Sequence, residues 1–460
     1  MRTPLFSRNH KPRPPDACAT DALLPIHRSR PRFAIAGKGS SQRRQLRSSR
    51  GDDRLSALPD DLLLLILRRL DTRTVLATAG LSKRWASLTR GLDTLSFRVS
   101  DILPPRYHRG IHLHNEASRF AYGFLVNFKV VCASIMRYER RAMRAMAASI
   151  NNFLDADDDN DHGSRGLRCV RTLKLEFFAT QCSSCMNRLI AKAVDACGVE
   201  DLEVSAKGTY RRQDAHRFPP HGLCKDPQMS RLRSLKLAAC YIPQLQRFHA
   251  LTTLVLQDLP ESTPNAAYEA VFTLCPQLQS LHLKSCSFNH GVVAVHAPVS
   301  EIKQLIMEDC WYGLIKLYTL PMLESMAVMD TDVRYKLSSF PCLKYLNLTI
   351  SHGITKRRMF SFRLDYDLKQ YLGGTPCITD LIIHFTGYDR WFKLCSSTLL
   401  FPKLRRLLIA DVPSSWDVSW PCLLIEVAPF LEILHVHITP WEEDPCNDIS
   451  GSPPSSATIS

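Results

Sequence analysis

The most regular feature of this 460-residue chain is a short apolar pattern that returns about eleven times between residues 170 and 436. Each copy has an apolar residue, two spacers, a second apolar residue, one spacer and a third apolar residue. The clearest copies are LRSLKL, LTTLVL, LQSLHL, IKQLIM, LESMAV, LKYLNL, ITDLII, LRRLLI and LEILHV, which begin at Leu232, Leu251, Leu278, Ile302, Leu323, Leu343, Ile378, Leu404 and Leu431. Two earlier copies, VRTLKL and VEDLEV, fit less tightly. Successive clear copies start 19 to 35 residues apart, a period typical of a solenoid.

The alternation within one copy predicts a β-strand. In LRSLKL, Leu235 and Leu237 are two residues apart, so they point to the same side of a strand. Leu232 fills the core from the preceding turn, whereas Lys236 lies on the opposite, outer side. One coil cannot bury its own apolar face, so successive coils must stack. The pattern therefore predicts the parallel strands of a leucine-rich repeat, which offers a long interaction surface and no catalytic pocket.

The segments between the strands differ in length, so the solenoid is irregular. Short gaps leave room for a loop or a 3₁₀ turn, and longer gaps can hold a helix. Pro264 followed by Ala267, Val271 and Leu274 reads as the start of one such helix. A second apolar stripe begins at Met186 and ends before Gly198, a residue suited to a helix C-terminus. We expect an α/β fold in which helices or loops cover the convex side.

Residues 54–93 have a different, helical pattern. The sequence LPDD from Leu58 places a proline and two acids where a helix begins. Leu62, Ile66 and Leu70 follow at helical spacing, with Leu63 and Leu67 beside them. Because leucines surround this helix, it either packs inside the protein or docks onto a partner. Asp71 and Ser82 are in positions to cap two further short helices.

The motif LPDDLLLLIL followed by RRLDTRTVLATAGLSKRW resembles an F-box. An F-box followed by irregular repeats resembles the plant F-box/leucine-rich-repeat family, and the resemblance covers about residues 54–440. It implies that the helical unit binds a Skp-type adaptor and, through it, a cullin–RING ubiquitin ligase. The matching positions, of which some would face the adaptor and others would form the F-box core, are Leu58, Pro59, Leu62, Ile66, Leu76, Leu81 and Trp85. Many members have a further Trp shortly after Lys-Arg-Trp, where this chain reads ASLTRGL.

The remaining segments complete the predicted organisation. Residues 1–50 read as a disordered basic tail, and residues 94–166 as a helical linker. That linker would hold a helix from Ser118 to Leu154 and an acidic loop from Asp155 to Asp161. The repeats would span residues 167–440, and residues 441–460 would be a flexible tail.

The net charge of +15 suggests binding to nucleic acid, but the distribution of the charge along the chain argues against such binding. Residues 1–50 hold 12 Lys or Arg and 2 Asp, so most of the excess lies in the tail. No basic stripe interleaved with aromatic residues follows in the repeats. The segment Phe120–Met136 is too polar and too short for a membrane span. We therefore expect neither a nucleic-acid nor a membrane partner, and the cysteines read as small core residues of a reducing compartment.

Several candidate chemical sites do not meet their requirements. The acidic loop lacks the glycine and the final glutamate of an EF-hand. Cys182 and Cys185 form an isolated CxxC without a second ligand pair, and the His108–His114 histidines read as loop residues. The chain shows no catalytic triad order, phosphate loop or HExxH motif, so we expect no catalytic residue, metal or cofactor. The 35-residue gap after LKYLNL carries a basic-aromatic candidate for substrate binding formed by Lys356, Arg357, Phe360 and Phe362.

These observations favour a non-catalytic, substrate-recognition subunit of an SCF-type cullin–RING E3 ubiquitin ligase. The F-box would dock on the Skp-type adaptor, and the repeats would bind a substrate protein of unknown identity. We expect such a subunit in the cytoplasm, the nucleus or both. The alternative is a repeat scaffold outside any ligase, imported into an organelle by an Arg- and Ser-rich leader within residues 1–50.

Overall fold

The computed structural model describes residues 55, 57–119, 128–158, 170–179, 182–210, 214–288, 291–311, 313–335, 340–350, 366–367, 377–385, 392–393, 401–414 and 420–439. The candidate loop at residues 356–362 and both tails lie outside these residues. So does the second part of the expected acidic loop.

The described chain contains a helical unit, a helical segment and an array of parallel strands. The helices are α1 Asp60–Leu67, α2 Thr72–Thr78, α3 Lys83–Arg90, α4 Pro105–Arg119, α5 Phe128–Asp158, α6 Ser183–Asp195, α7 Asn265–Leu274 and α8 Trp420–Glu426, with a 3₁₀ turn at Val99–Asp101. The strands are β1 Thr94–Arg98, β2 Thr172–Phe178, β3 Asp201–Lys207, β4 Ser234–Ala238, β5 Thr253–Gln257, β6 Ser280–Lys284, β7 Val292–His296, β8 Gln304–Glu308, β9 Leu314–Thr319, β10 Ser325–Met329, β11 Val333–Tyr335, β12 Tyr345–Ile350, β13 Tyr366–Asp367, β14 Asp380–Phe385, β15 Phe392–Lys393, β16 Arg406–Pro413 and β17 Ile433–Thr439.

Twelve of these strands form one parallel sheet in the order β1-β2-β3-β4-β5-β6-β8-β10-β12-β14-β16-β17. Equivalent positions of neighbouring repeats pair directly, as Leu235 does with Leu254 and Leu254 with Leu281. In the eight repeats from LRSLKL to LRRLLI, the three apolar positions are at most 2% exposed. The expected fold class, a small all-α unit followed by an irregular repeat solenoid, is confirmed.

The last repeat differs from the expectation drawn from its sequence. In LEILHV, Leu434 is 39% exposed and Val436 is 42% exposed, although their counterparts in β16 are buried. The cause is position: among the described strands, β17 is the last of the sheet and pairs with β16 on one side, so no described coil follows it. Burial of the apolar pair depends on the next coil as well as on the pattern.

Three coils carry a second strand in the segment after the main-sheet strand, where the sequence predicted helices or loops. Strands β7, β9 and β11 form a parallel three-stranded sheet in the order β11-β9-β7. Val293 of β7 and Ile315 of β9 are buried in the same core as the main sheet. The coils approach closely here, because a Cβ atom on Gly313 would lie 2.6 Å from Cβ of Phe288. The two short strands β13 and β15 pair separately.

The two helices expected within the repeats are present. Helix α6 buries Met186, Ile190 and Ala193 against the sheet. Gly198 follows the end of α6 with φ of +69°, a conformation that favours glycine. Helix α7 begins after Pro264, which occupies its N-cap position.

The segment 94–166, predicted to be a helical linker, is only partly helical. Its first residues form β1, which pairs in parallel with β2, so the sheet begins well before residue 167. The expected helix from Ser118 is replaced by α4, which ends at Arg119, and α5, which begins at Phe128. Helix α5 also continues to Asp158, through the first residues of the expected acidic loop. The sequence signal for β1 is the alternation of the apolar residues Leu95 and Phe97, which are both buried.

A left-handed residue follows most strands of the central array. The φ angles of Ala239, Asp258, Ser285, Asp309 and Asp330 lie between 47° and 51°. Each backbone N–H donates to a carbonyl oxygen at the end of the following strand of the main sheet. These turns lock neighbouring coils together at the carboxyl-terminal edge of the sheet. Asp is more tolerant of this conformation than most residues, which explains its repeated use here.

The core contains the cysteines that follow three of the repeats. Cys240, Cys286 and Cys310 are at most 3% exposed, and all cysteines of the described chain are free thiols. They act as small core side chains, as the sequence predicted. Within the described ranges, no helix is long and apolar enough to span a bilayer.

Candidate functional site

The three helices of the amino-terminal unit enclose a small core of their own. Leu63 and Leu67 of α1 are almost fully buried. They pack with Val75 of α2, Leu88 of α3 and Leu92 after it. The core thus uses one side of α1 and leaves the other side of that helix to solvent.

Side-chain caps fix where α2 and α3 begin. The Asp71 carboxylate accepts a hydrogen bond from the Thr74 backbone N–H at 2.9 Å. The Ser82 hydroxyl accepts one from the Trp85 backbone N–H at 3.3 Å. Both caps were expected from the sequence, because Asp and Ser satisfy the free N–H groups of a first helical turn.

Arg84 joins α3 to the beginning of α1. Its Nε atom donates to Oδ1 of Asp60 at 2.8 Å, and its Nη2 atom also donates to the Leu58 carbonyl oxygen. One guanidinium group therefore holds both a carboxylate and a backbone carbonyl. It fixes the Leu58-Pro59 turn, so the exposed side of α1 has a defined orientation.

The exposed side of α1 is apolar. Leu62 is 46% exposed, Leu65 is 55% exposed and Ile66 is 39% exposed. Their spacing places them on one side of the helix, opposite Leu63 and Leu67. We call these three residues the α1 apolar face. Such a solvent-facing group of large apolar side chains on one helix is typical of a protein docking surface.

The predicted adaptor-binding or core residues fall into two groups. Pro59, Leu62, Ile66 and Leu81 are exposed, with Leu81 at 70%. The other group is partly buried and contributes packing.

Within that packing group, Leu58 and Trp85 contact the small core, whereas Leu76 packs on the core of the repeats. Leu65 belongs to the exposed group but was not singled out from the sequence. Its position three residues after Leu62 was the available signal. Which of these residues bind an adaptor stays a prediction.

The helical unit is attached to the first strand of the sheet. The Ser96 backbone N–H donates to the Thr72 hydroxyl oxygen at 2.7 Å, and Thr72 is only 6% exposed. Together with the packing of Leu76 on the repeat core, this bond joins α2 to β1. A partner held by the α1 apolar face is therefore coupled mechanically to the repeats.

The other candidates from the sequence do not form a chemical site. Cys182 precedes α6 in a left-handed conformation, and burial raises the pKa of the Cys185 thiol, opposite to what a reactive thiolate needs. His108 and His114 lie on α4 and not in a loop. Among the described side chains, no group of three or more His, Cys, Asp or Glu is arranged to hold a metal ion.

Comparison with known proteins agrees with this geometry. The family described as F-box domain matches residues 55–96, which contain α1, α2, α3 and the beginning of β1. The chain thus contains an F-box domain. The F-box covers the small helical core and the α1 apolar face, and the repeats form the parallel sheet that follows.

Relatives from Arabidopsis thaliana resemble this chain over different lengths. One F-box/FBD/LRR-repeat protein is 30% identical over 137 residues, which are 30% of this chain but only 26% of that relative. A second protein of the same description is 26% identical over 408 residues and 85% of both chains. A third is 24% identical over 407 residues, covering 82% of this chain and 85% of the relative. In these two cases the resemblance thus extends over most of the chain.

Proposed function

We propose that this F-box/leucine-rich-repeat protein is the substrate-recognition subunit of an SCF-type cullin–RING E3 ubiquitin ligase. The α1 apolar face carries the proposal, because it lies within the matched F-box and is exposed although its side chains are large and apolar. A Skp-type adaptor would cover Leu62, Leu65 and Ile66. Burying them would remove apolar surface from water, which is favourable by about 25 cal/mol per Å².

The repeats would hold a substrate protein, and other subunits would carry out ubiquitin transfer. The chain's own contribution is orientation, which raises the effective concentration of a substrate lysine near the charged enzyme. The bond between Thr72 and Ser96 and the packing of Leu76 support this role, because they connect the adaptor side to the repeats. In this proposal the protein works in the cytoplasm, the nucleus or both.

A binding measurement with purified proteins tests the proposal. The full chain is immobilised, and its affinity for a purified plant Skp-type adaptor is measured by biolayer interferometry. We expect Leu62→Glu and Ile66→Glu each to weaken binding at least about tenfold, because a charge would be buried against an apolar partner. These side chains are exposed, so the variants should fold as the wild type does.

Leu113→Glu is the matched control. Leu113 lies on α4, outside the F-box, and is 41% exposed, close to the values for Leu62 and Ile66. Its substitution should leave adaptor binding unchanged. No measurable binding by the wild-type chain would overturn the proposal and leave a repeat scaffold that acts outside a ligase. Binding that all three variants weaken equally would remove the α1 apolar face from it.

A further inference from the structure

Helix α5, which precedes β2 in the chain, has two very different sides. On one side Glu139, Met143 and Met146 are at most 2% exposed. The Phe178 backbone N–H, at the end of β2, donates to the Met143 sulfur at 3.4 Å. This side of α5 is therefore fixed to the beginning of the main sheet, and the opposite side of the helix faces solvent.

The solvent-facing side of α5 carries four arginines, which are Arg137, Arg140, Arg141 and Arg144. All four are exposed. Because they are three or four residues apart, they share one side of the helix. They cover a length of about 10 Å at the helical rise of 1.5 Å per residue. We call these four residues the α5 arginine stripe.

The α5 arginine stripe has no counter-charge among the described residues. Nε of Arg140 donates to the Met136 carbonyl oxygen at 3.2 Å, but none of the four arginines forms an ion pair with a described carboxylate. Glu139 is the one acid in the sequence of residues 128–151. Its side chain turns inward and accepts a hydrogen bond from the Tyr210 backbone N–H at 2.8 Å. The acid nearest in sequence is thus withheld from the stripe.

Several exposed cations of the repeats, by contrast, lie beside a carboxylate of a neighbouring coil. Lys236 contacts Glu203 at 3.0 Å, and Arg405 contacts Glu432 at 2.8 Å. On a helix, like charges three and four residues apart repel each other and lower the stability of the helix. No described carboxylate offsets this repulsion in the α5 arginine stripe, whereas a bound anionic partner would.

The shape of the α5 arginine stripe favours a partner with several separated negative charges. In an extended peptide, alternate residues are about 6.6 Å apart, close to the pitch of about 5.4 Å that separates successive turns of a helix. Carboxylates at alternate positions can therefore each meet one guanidinium group, a pairing that forms two parallel hydrogen bonds. Nucleic acid would also be attracted, but proteins that bind a duplex through its phosphates typically make about six to ten such contacts, and the stripe supplies four.

We propose that the α5 arginine stripe binds an acidic segment of a partner protein, in which Asp or Glu residues occupy alternate positions of an extended stretch. Complementary charge would orient this segment along the helix and speed its association. The inference goes beyond the proposed function and does not depend on adaptor binding. The stripe lies outside the matched F-box, so the adaptor and the acidic segment would use different residues.

Labelled peptides of about 12 residues can test this chemistry, because alternation puts one residue type on each side of an extended chain. One peptide alternates Glu with Ser, and the control peptide alternates Gln with Ser. Their binding to the purified full chain is followed by fluorescence anisotropy. We expect the Glu peptide to bind at least about tenfold more tightly than the Gln peptide, and we expect added salt to reduce this preference.

Variants assign the binding to the α5 arginine stripe. The double variant Arg140→Gln/Arg144→Gln removes two of its charges and keeps good helix formers, and it should weaken binding of the Glu peptide at least about threefold. Arg231→Gln/Arg247→Gln is the matched control, because it removes the same net charge from exposed positions outside α5. Residues 1–50 also hold 12 Lys or Arg, so only the loss beyond that of the control is assigned to the stripe. The melting temperature of the stripe variant should not fall, since its repulsion is relieved.

Four results would overturn the inference. One is equal binding of the two peptides, and another is an equal loss of affinity in the two double variants. The third is a lower melting temperature of the stripe variant, which would show that the arginines stabilise the fold. The fourth is a short DNA duplex that loses more affinity in the stripe variant than the Glu peptide does, which would make nucleic acid the partner. Adaptor affinity should be unchanged in both double variants, so a chain that binds the Glu peptide through the stripe but no adaptor keeps the inference and loses the ligase role.

Discussion

Arg84 and Asp60 join the third helix of the F-box to the first turn of its first helix across 24 residues of sequence, with Nε of Arg84 2.8 Å from Oδ1 of Asp60. The same guanidinium group donates to the Leu58 carbonyl oxygen. This arrangement holds α1 in place without using its apolar face. The contact thus fixes the orientation of the α1 apolar face, and a partner can still cover that face.

Replacing Arg84 should lower the stability of the F-box and its affinity for the adaptor together. Arg84→Met removes the ion pair and the bond to Leu58 while keeping the aliphatic stem. The expected loss is about 0.5–1.5 kcal/mol, since the pair is largely exposed and the carbonyl bond adds to it. Thermal unfolding followed by circular dichroism and the adaptor affinity are the measurements. Lys83→Met, at the exposed neighbouring position, is the control and should change neither.

Two carboxylates, one on α5 and one on β2, should respond to pH in opposite directions. Glu139 of α5 is 2% exposed, and burial raises its pKa above 4.5, even though the Tyr210 N–H and the Tyr107 hydroxyl donate to it. A group whose pKa is raised in the folded state contributes stability at pH values below its pKa in the unfolded state. That contribution is lost as the pH rises through the folded-state pKa. Glu139→Gln should therefore raise the melting temperature at pH 7, and its advantage should shrink towards pH 4.5.

Glu176 provides the matched comparison. Burial raises its pKa, but hydrogen bonds from Ser100 and Lys207 and the charge of Lys207 outweigh this, so the pKa lies below 4.5. The contribution of Glu176 to stability is present at pH values above its pKa in the unfolded state. It is lost as the pH falls through its pKa in the folded state. Glu176→Gln should lower the melting temperature at pH 7, with a deficit that disappears in acid. If both variants shift in the same direction with pH, the assignment of the two environments is wrong.

The sequence predicted the sheet well because its period is local. Two apolar residues separated by one spacer define a strand and its buried side without knowledge of distant residues. The pattern did not decide which leucines of α1 are buried, because leucine occupies both sides of that helix. Leu63 and Leu67 turn inward only because α2 and α3 meet them there. The contact of Leu76 with the repeat core is likewise a long-range fact that no local spacing contains.

The strands β7 and β9 lie in short segments between the repeats, where the local sequence gives a weaker signal. The alternation in Val292–His296 and Leu314–Thr319 is the same strand signal, but each segment is only five or six residues long and follows a gap of irregular sequence. Among the described strands, these two pair with each other, and β9 also pairs with β11. Their formation therefore depends on coils that lie side by side, a relationship visible in the fold alone.

The left-handed turn after β4 gives a prediction about backbone conformation. Ala239 has φ of 50°, which costs a residue with a Cβ atom roughly 1–2 kcal/mol, and glycine avoids this cost. Ala239→Gly should thus keep or raise the melting temperature, and Ala239→Val should lower it. Ala238→Gly, one residue earlier in the extended strand, is the control and should be destabilising. A loss in Ala239→Gly as large as that in Ala238→Gly would contradict the argument.

The end of the sheet gives a prediction about burial. Leu346 of β12 and Leu434 of β17 occupy the same position of their repeats, but Leu346 is fully buried and Leu434 is 39% exposed. Leu346→Ala should cost about 2–5 kcal/mol, because it removes packed atoms and leaves a cavity between two coils. Leu434→Ala should cost less than about 1 kcal/mol, because solvent already reaches that side chain. Urea midpoints of the full chain measure both. A large loss in Leu434→Ala would show that, in solution, something covers the outer end of β17, and titrating the loss against protein concentration would then separate a second copy from a segment of the same chain.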